Sequence, residues 1–249
     1  MKTVIKFGAP FILLLVAAGF WFTKSLKEKQ APAEIQVLGE FQNPPDNTTY
    51  AWFLVSQALS ITYYPNYQEK LTSDEVKTKY GCVSLVSGGF YDSDRKPLGL
   101  VITQRIKISG YRQSELFNGV YSINDFETPR ITKEVPKDGL RVALQSGPML
   151  IENSFVQKLS LKRDEEARRI VIATTGDNQT IFIVFYNPNS VFMGPLLTDL
   201  PQLLTDFQKD TGVILADALN LDGGTASVFN HAGTNLPEAV LSGGFFCIK

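Results

Sequence analysis

The residues with the clearest chemical potential lie in Ala216–Phe229, read as ADALNLDGGTASVF. Ala216, Leu219 and Leu221 form an apolar approach, and Asp222, Gly223, Gly224, Thr225 and Ser227 then bring small polar groups and flexible backbone together. Glycine carries no Cβ, so its N–H can approach a ligand closely. A carboxylate at the lip of such a turn can bind a metal, accept a proton or orient a sugar hydroxyl. The same sequence also suits an ordinary tight turn in which Asp222 bonds the local backbone. Three further clusters share this double reading. Gly88-Gly89 after Ser87 offers close backbone approach or marks a bulge. Gln145 and Ser146 interrupt an apolar run, and buried polar side chains must find partners, so they are internal braces or ligand contacts. Arg168-Arg169 opens an apolar strand; an arginine there is solvated, or its fork meets a phosphate.

Composition narrows the chemistry. The chain has 249 residues and a net charge of −1, which gives no bulk attraction to nucleic acid. His231 is the single histidine, so a Ser-His-Asp triad or a multi-His zinc site has almost no material. Cys82 and Cys247 fit no metal-ligand spacing. At the N-terminus, Lys2 and Lys6 precede the apolar run Phe7–Phe22, and Lys24, Lys27 and Lys29 follow it. A basic start and a short apolar core are the pattern of an export signal. Residues 1–26 read as an uncleaved signal anchor, with a cleaved signal peptide as the alternative. Either way, the remainder is expected outside the cytoplasm, anchored on the periplasmic side or secreted, where Cys82 and Cys247 can form a disulfide.

The elements that must position these residues follow from periodicity and breakers. Residues 27–49 read as a linker and 50–249 as the folded domain. Tyr50–Tyr64 is aromatic and apolar and reads as strand, helix or both, with tyrosines that can face a sugar or pack in a core. Thr72-Ser73-Asp74-Glu75 begins a helix. Strands are expected over Val83–Ser87, Leu98–Ile102, Gly119–Ile123, Val142–Ile151 with a tight turn inside it, and near Phe245–Cys247; Ile170–Ala173 and Ile181–Phe185 form a hairpin. Leu196–Phe207 has helical apolar spacing, with Thr198 as N-cap and Pro201 in the first turn.

Four pieces occur in a recognisable order: SGGFY…PLGLVI (87–102), ALQSGPMLIEN (143–153), RRIVIATTGDNQTIFIVF (168–185) and ALNLDGGTAS (218–227). Together they resemble the phosphodiester glycosidase domain family, which includes an N-acetylglucosamine phosphodiester uncovering enzyme and bacterial exopolysaccharide-biosynthesis-type proteins. The resemblance spans roughly Tyr80–Cys247. It implies a mixed α/β (α+β) fold: a β-rich single domain with a mixed sheet and packed helices, its motif loops at one cleft. It also implies a hydrolase that cleaves a sugar–phosphodiester bond in a phosphorylated glycan or envelope polymer. The motif positions are Gly88, Gly89, Gln145, Ser146, Gly147, Arg169, Asn220, Asp222, Gly223 and Gly224, with Thr225 and Ser227 beside them. Asp222 is the expected acid, base or metal ligand, and Arg169 the expected phosphate partner. The other motif residues are expected to bind substrate. Glycoside cleavage usually uses two carboxylates; Asp92, Asp94, Glu152 and Asp177 are candidates for the second, and a divalent cation could stand in for it. The sequence departs from the family pattern at Ser87, where asparagine is usual, at Tyr91, where phenylalanine is usual, and at Ala173 and Ser154, where glycines are. Ser87 keeps a second function open: a weakened glycan- or phosphosugar-binding protein, or an envelope assembly protein, on the same fold.

Overall fold

A computed structural model describes residues 48–249. The expected anchor and nearly all of the linker lie outside the described residues. Among the described residues, no helix is long and apolar enough to cross a membrane. In chain order the elements are β1 (Thr49–Val55), β2 (Ile61–Pro65), α1 (Ser73–Tyr80), β3 (Ser84–Ser87), β4 (Val101–Thr103), β5 (Ile106–Ser109), β6 (Gly119–Asn124), β7 (Pro129–Thr132), β8 (Leu140–Ser146) and β9 (Met149–Glu152). They continue as β10 (Phe155–Val156), β11 (Arg169–Thr175), β12 (Thr180–Tyr186), α2 (Leu200–Thr211), β13 (Leu215–Leu221), β14 (Phe229–His231), β15 (Thr234–Leu236) and β16 (Gly244–Ile248).

These strands form three sheets, ordered β1-β12-β11-β13-β9-β10, β15-β14-β3-β16-β2 and β5-β4-β8-β6-β7. The fold is β-rich, as expected, but the expected mixed sheet is replaced by antiparallel pairing throughout the three described sheets. The connections explain this. Parallel neighbours need crossovers of about a dozen residues or more, usually helical. Here tight turns such as Thr175–Gln179 return the chain directly beside the preceding strand.

The six-stranded sheet is buried on both faces, so its strands read as continuous apolar runs. In β12, Phe182 and Val184 join a core shared with Tyr63, Tyr121 and Phe246 of the other sheets. The alternate residues Ile181, Ile183 and Phe185 face a second core with Leu200, Leu203, Leu204 and Phe207 of α2. α1 carries the full capping box of Thr72 and Glu75 and ends at the left-handed Gly81. Thr198 does not cap α2. Asp199 occupies the N-cap position without a side-chain cap bond, and a 3-10 turn over Leu197–Asp199 precedes the helix. Asp164, from the loop before β11, accepts from the N–H groups of Leu197 and Thr198 at 3.0 and 2.8 Å and from the Thr198 hydroxyl at 2.8 Å. The leading residues Leu98–Leu100 of the second expected strand stay outside the ladder, because the Leu100 N–H is taken by the Gln145 Oε1 at 3.0 Å. Cys82, just before β3, and Cys247, on β16, are joined by a disulfide with a Cα–Cα distance of 5.3 Å.

Candidate active site

β13 crosses the six-stranded sheet and delivers Asp222 to its end. The Asp222 N–H donates to the Gly88 carbonyl at 3.0 Å, which ties the two glycine-bearing turns together. The loop that follows is held from beneath by Arg168, which is fully buried. Its Nε donates to the Ser227 hydroxyl at 2.7 Å, and its Nη2 reaches the carbonyls of Ser227 and Pro237. Its own carbonyl accepts from the Gly224 N–H at 2.7 Å. A Cβ on Gly223 would land on that same carbonyl oxygen, so glycine there answers a backbone close approach. Burial lowers the Arg168 pKa to about 10, against the opposing charge of Glu238.

Asp222 faces a wall of phenols. Tyr63 and Tyr67 meet hydroxyl to hydroxyl at 3.3 Å, and the Tyr91 hydroxyl donates to the Leu241 carbonyl at 2.7 Å. The wall packs against bare backbone. A Cβ on Gly88 or Gly244 would overlap Tyr63, and one on Gly243 would overlap Tyr91 and stand 2.9 Å from Tyr67. Burial pushes Tyr63 up to about 12 and Tyr67 well above its ordinary value, and it also raises Tyr91; the Asp222 charge adds to all three. Asp222 is half-buried as a residue, and desolvation raises its pKa to about 7, only partly offset by the Gly223 N–H. A carboxyl poised near neutrality can both take and return a proton, the property wanted of a general acid or base.

The other motif residues divide into builders and neighbours of this lip. Gln145 is a brace: its Oε1 accepts from the N–H groups of Leu100 and Arg112 at 3.0 Å each, and its Nε2 donates to the carbonyls of Arg112 at 2.5 Å and Phe117 at 2.8 Å. Ser146 donates to the Asn220 carbonyl at 2.7 Å, and the Asn220 amide donates to the Gly147 carbonyl at 2.9 Å. A side chain on Gly147, which precedes a cis proline, would collide with the Leu116 carbonyl. Thr225 is exposed at the loop's outer side and its carbonyl accepts from Ala239 and Val240. Ser87 is buried and its hydroxyl makes a long 3.4 Å contact to the Asp222 carbonyl.

The Arg169 backbone runs beside Gly223, but its side chain is directed away from this group. Strand alternation puts it with Val171 and Ala173 on the α2 face of the sheet, opposite Ile170, Ile172 and the Tyr63 core. It pairs there with Asp164 at 3.3 Å and donates to the Pro195 carbonyl at 3.1 Å. Burial lowers its pKa, and Asp164 and Glu165 oppose that shift. The candidate second carboxylates are also engaged elsewhere. Glu152 pairs with Lys133, Asp177 accepts from Thr175, Asp94 is an exposed partner of Lys96, and Asp92 caps its own turn at Lys96 N–H. His231 is a core residue, stacked on Phe53 with centroids 4.2 Å apart and bonded to the Ser84 hydroxyl. Among the described residues, no three His, Cys, Asp or Glu side chains gather as a metal cluster, so a cation at Asp222 would find an incomplete protein ligand set.

The sequence reading did not include Tyr67 and Arg95. Arg95 extends beside the phenol wall, its guanidinium 5.0 Å from the Tyr91 ring centre. The only sequence signal for this feature was the density of tyrosines before Pro65 and the tyrosine at position 91.

The profile of the phosphodiester glycosidase family matches residues 80–241, a span running from the end of α1 past the Asp222 loop. The chain belongs to the phosphodiester glycosidase family. No curated protein matches it. Solved structures share the fold at low identity. The chain is similar to the zebrafish N-acetylglucosamine-1-phosphodiester alpha-N-acetylglucosaminidase catalytic domain auto-inhibited by pro-peptide, with a TM-score of 0.58, 14% identity and 88% of each chain covered. It is also similar to a hypothetical protein from Synechocystis (TM-score 0.51, 13% identity, 86% of this chain and 61% of that one). A third likeness is to a putative exported protein from Burkholderia pseudomallei K96243 (TM-score 0.54, 8% identity, 81% and 73% covered). In this phosphodiester glycosidase domain the four sequence pieces do not contribute equally. The first and fourth meet at Gly88 and Asp222, while the second and third largely brace them.

Proposed function

We propose that the domain hydrolyses a glycosyl phosphodiester, with Asp222 as its proton-handling carboxyl. The observation that carries this is the half-buried, desolvated Asp222 at the end of β13, poised near pH 7 between the Gly88 backbone and a wall of phenols. Water attacks the anomeric carbon and its proton passes to ionised Asp222. The bond from that carbon to the phosphate-bridging oxygen breaks, and its electron pair leaves with the phosphate. A phosphomonoester leaves readily as an anion, with a second pKa of about 6. The second carboxylate that protonates a sugar leaving group is therefore dispensable, which fits a site where the candidate partners are engaged elsewhere. On the loop the Gly224 N–H is taken by the Arg168 carbonyl and the Gly223 N–H by Asp222 itself, so the exposed Thr225 is the donor left for sugar or phosphate oxygens.

The disulfide and the basic–apolar N-terminus support an extracytoplasmic setting, with a glycan or envelope polymer as substrate. The test is release of free sugar from an aryl or sugar phosphodiester of N-acetylglucosamine and related sugars, with and without divalent cation. Turnover should rise through an apparent pKa of about 7 as Asp222 ionises, and Asp222→Asn should lower it by about 10²- to 10⁴-fold. A folded protein that turns over none of these compounds would leave a glycan-binding or scaffold role.

A further inference from the structure

We propose that the cleft beside Arg95 is a subsite for a phosphate group and that Arg95 supplies its positive charge. This deepens the hydrolase reading and rests on it. The cleft encloses about 540 Å³ between the loop after β2 and the turn before β4, and Tyr67, Gln68, Arg95, Lys96 and Ile108 are among its lining residues. That volume lies within the usual range of small-molecule sites, roughly 300–1,000 Å³.

Charge accounting singles out Arg95. The acidic lining residues are already matched: Glu69 pairs with Lys79 at 2.8 Å, and Asp94 pairs with Lys96 at 3.4 Å. Among the described residues Arg95 has no carboxylate partner. Its Nη1 donates to the Leu241 carbonyl at 3.3 Å, and its Nη2 to the carbonyls of Asn66 and Ser242 at 3.3 and 3.0 Å. Those bonds fix the guanidinium without neutralising it. Three of its five N–H donors go to those carbonyls, Tyr91 also shares a hydrogen bond with the side chain, and the unpartnered Nε is buried away from the cleft, so what Arg95 offers a ligand is chiefly its uncompensated charge. The result is a pre-oriented cation at the wall of a cleft, the arrangement that favours an anionic group.

The same cation is linked to Asp222 through the phenols. Tyr67 and Tyr91 lie within the electrostatic reach of both Asp222 and Arg95, which act on them with opposite sign. Tyr67 and Tyr91 interlock at Gly243, so the wall is continuous from one charge to the other. A phosphodiester bound with its phosphate toward Arg95 would present its sugar end toward the Asp222 lip. Arg169, by contrast, is already paired with Asp164.

Inorganic phosphate is the first probe, titrated into the full chain while the Arg Nε–H resonances are followed by NMR. The Arg95 resonance should move on saturation and the Arg169 resonance should not; an unmoved Arg95 would overturn the proposal in the wild-type protein, whatever the variants do. Arg95→Gln should weaken phosphate binding about 10- to 100-fold, the worth of one charged hydrogen bond, and raise KM for a phosphodiester more than it lowers kcat. Arg95→Lys, which keeps the charge but not the fork, should lose clearly less binding than Arg95→Gln. Equal losses in the glutamine and lysine variants would show that Arg95 only sews the loops together, and would sink the site. Phosphate binding that depends on Arg95 without any hydrolysis would instead preserve the site and sink the hydrolase reading. Hydrolysis that is indifferent to Arg95→Gln would do the reverse.

Discussion

Asp164 and Asp222 are two carboxylates beside the same sheet, one on the loop before β11 and one at the end of β13, and their surroundings drive them in opposite directions. At Asp164 burial pushes the pKa up, but the N–H groups of Thr198 and Leu197, the Thr198 hydroxyl and Arg169 outweigh it and hold the acid below its ordinary range. At Asp222 burial meets one opposing contact, the Gly223 N–H, and the acid rises to about 7. Hydrogen-bond donors, rather than depth, separate a carboxylate held ionised from one held near neutrality. The adjacent arginines follow the same division. Arg168 holds the Asp222 loop through its hydroxyl and carbonyl contacts, whereas Arg169 serves Asp164.

The largest expected effect is on Asp222. Asp222→Asn should lower kcat/KM by about 10²- to 10⁴-fold, the usual reach of general acid–base catalysis. Its stability should move the other way. Because the folded pKa is raised, the native carboxyl holds its proton more tightly than the unfolded one, and its contribution to stability is lost as pH rises from about 4 to about 7. Melting of Asp222→Asn should therefore exceed wild type at pH 8 and converge with it near pH 4; a variant less stable at both would break the contrast.

Asp164→Asn should show the mirror image. It should cost about 2–4 kcal/mol at neutral pH, because it strips charge from several hydrogen bonds and strands Arg169. Since the Asp164 pKa is lowered, its contribution is present above the unfolded value and fades as pH falls through the folded one. Chemical denaturation at pH 7 and pH 3 measures both arms, and KM should stay near wild type. Gly223→Ala should come next, at about 1–3 kcal/mol with a larger loss of turnover, because the new methyl meets the fixed Arg168 carbonyl. The smallest effect is expected for Arg169→Gln, about 1–2 kcal/mol by denaturation, with the phosphodiester KM unchanged. A KM rise there alone would return the phosphate role to Arg169.

The local pieces were legible because each carries its cause in a few neighbouring residues. The capping box at Thr72 and Glu75, the β11–β12 hairpin and the apolar face of α2 follow from periodicity and short-range hydrogen bonding. The NLDGG stretch was readable as a glycine turn carrying a carboxylate, and the order of the four pieces, rather than the turn itself, marked it as a candidate site. The α2 cap was misplaced because its acceptor, Asp164, lies 34 residues before Thr198. Antiparallel pairing was also hidden, since an apolar run buried on both faces does not disclose the direction of its neighbour.

The amino-acid sequence by itself determined the strands, the glycine turns and the family, and it singled out Asp222 as the candidate acid. The tertiary structure alone decided which polar residues are spent on bracing. Gln145 and Arg169 look like ligand contacts in the sequence, but their partners come from distant segments that only the fold brings within hydrogen-bond reach. It also decided the near-neutral pKa of Asp222 and left Arg95 without a carboxylate partner among the described residues. Desolvation and charge compensation are sums over everything nearby, and residues such as Tyr67 and Gly243 become neighbours only when the sheets close.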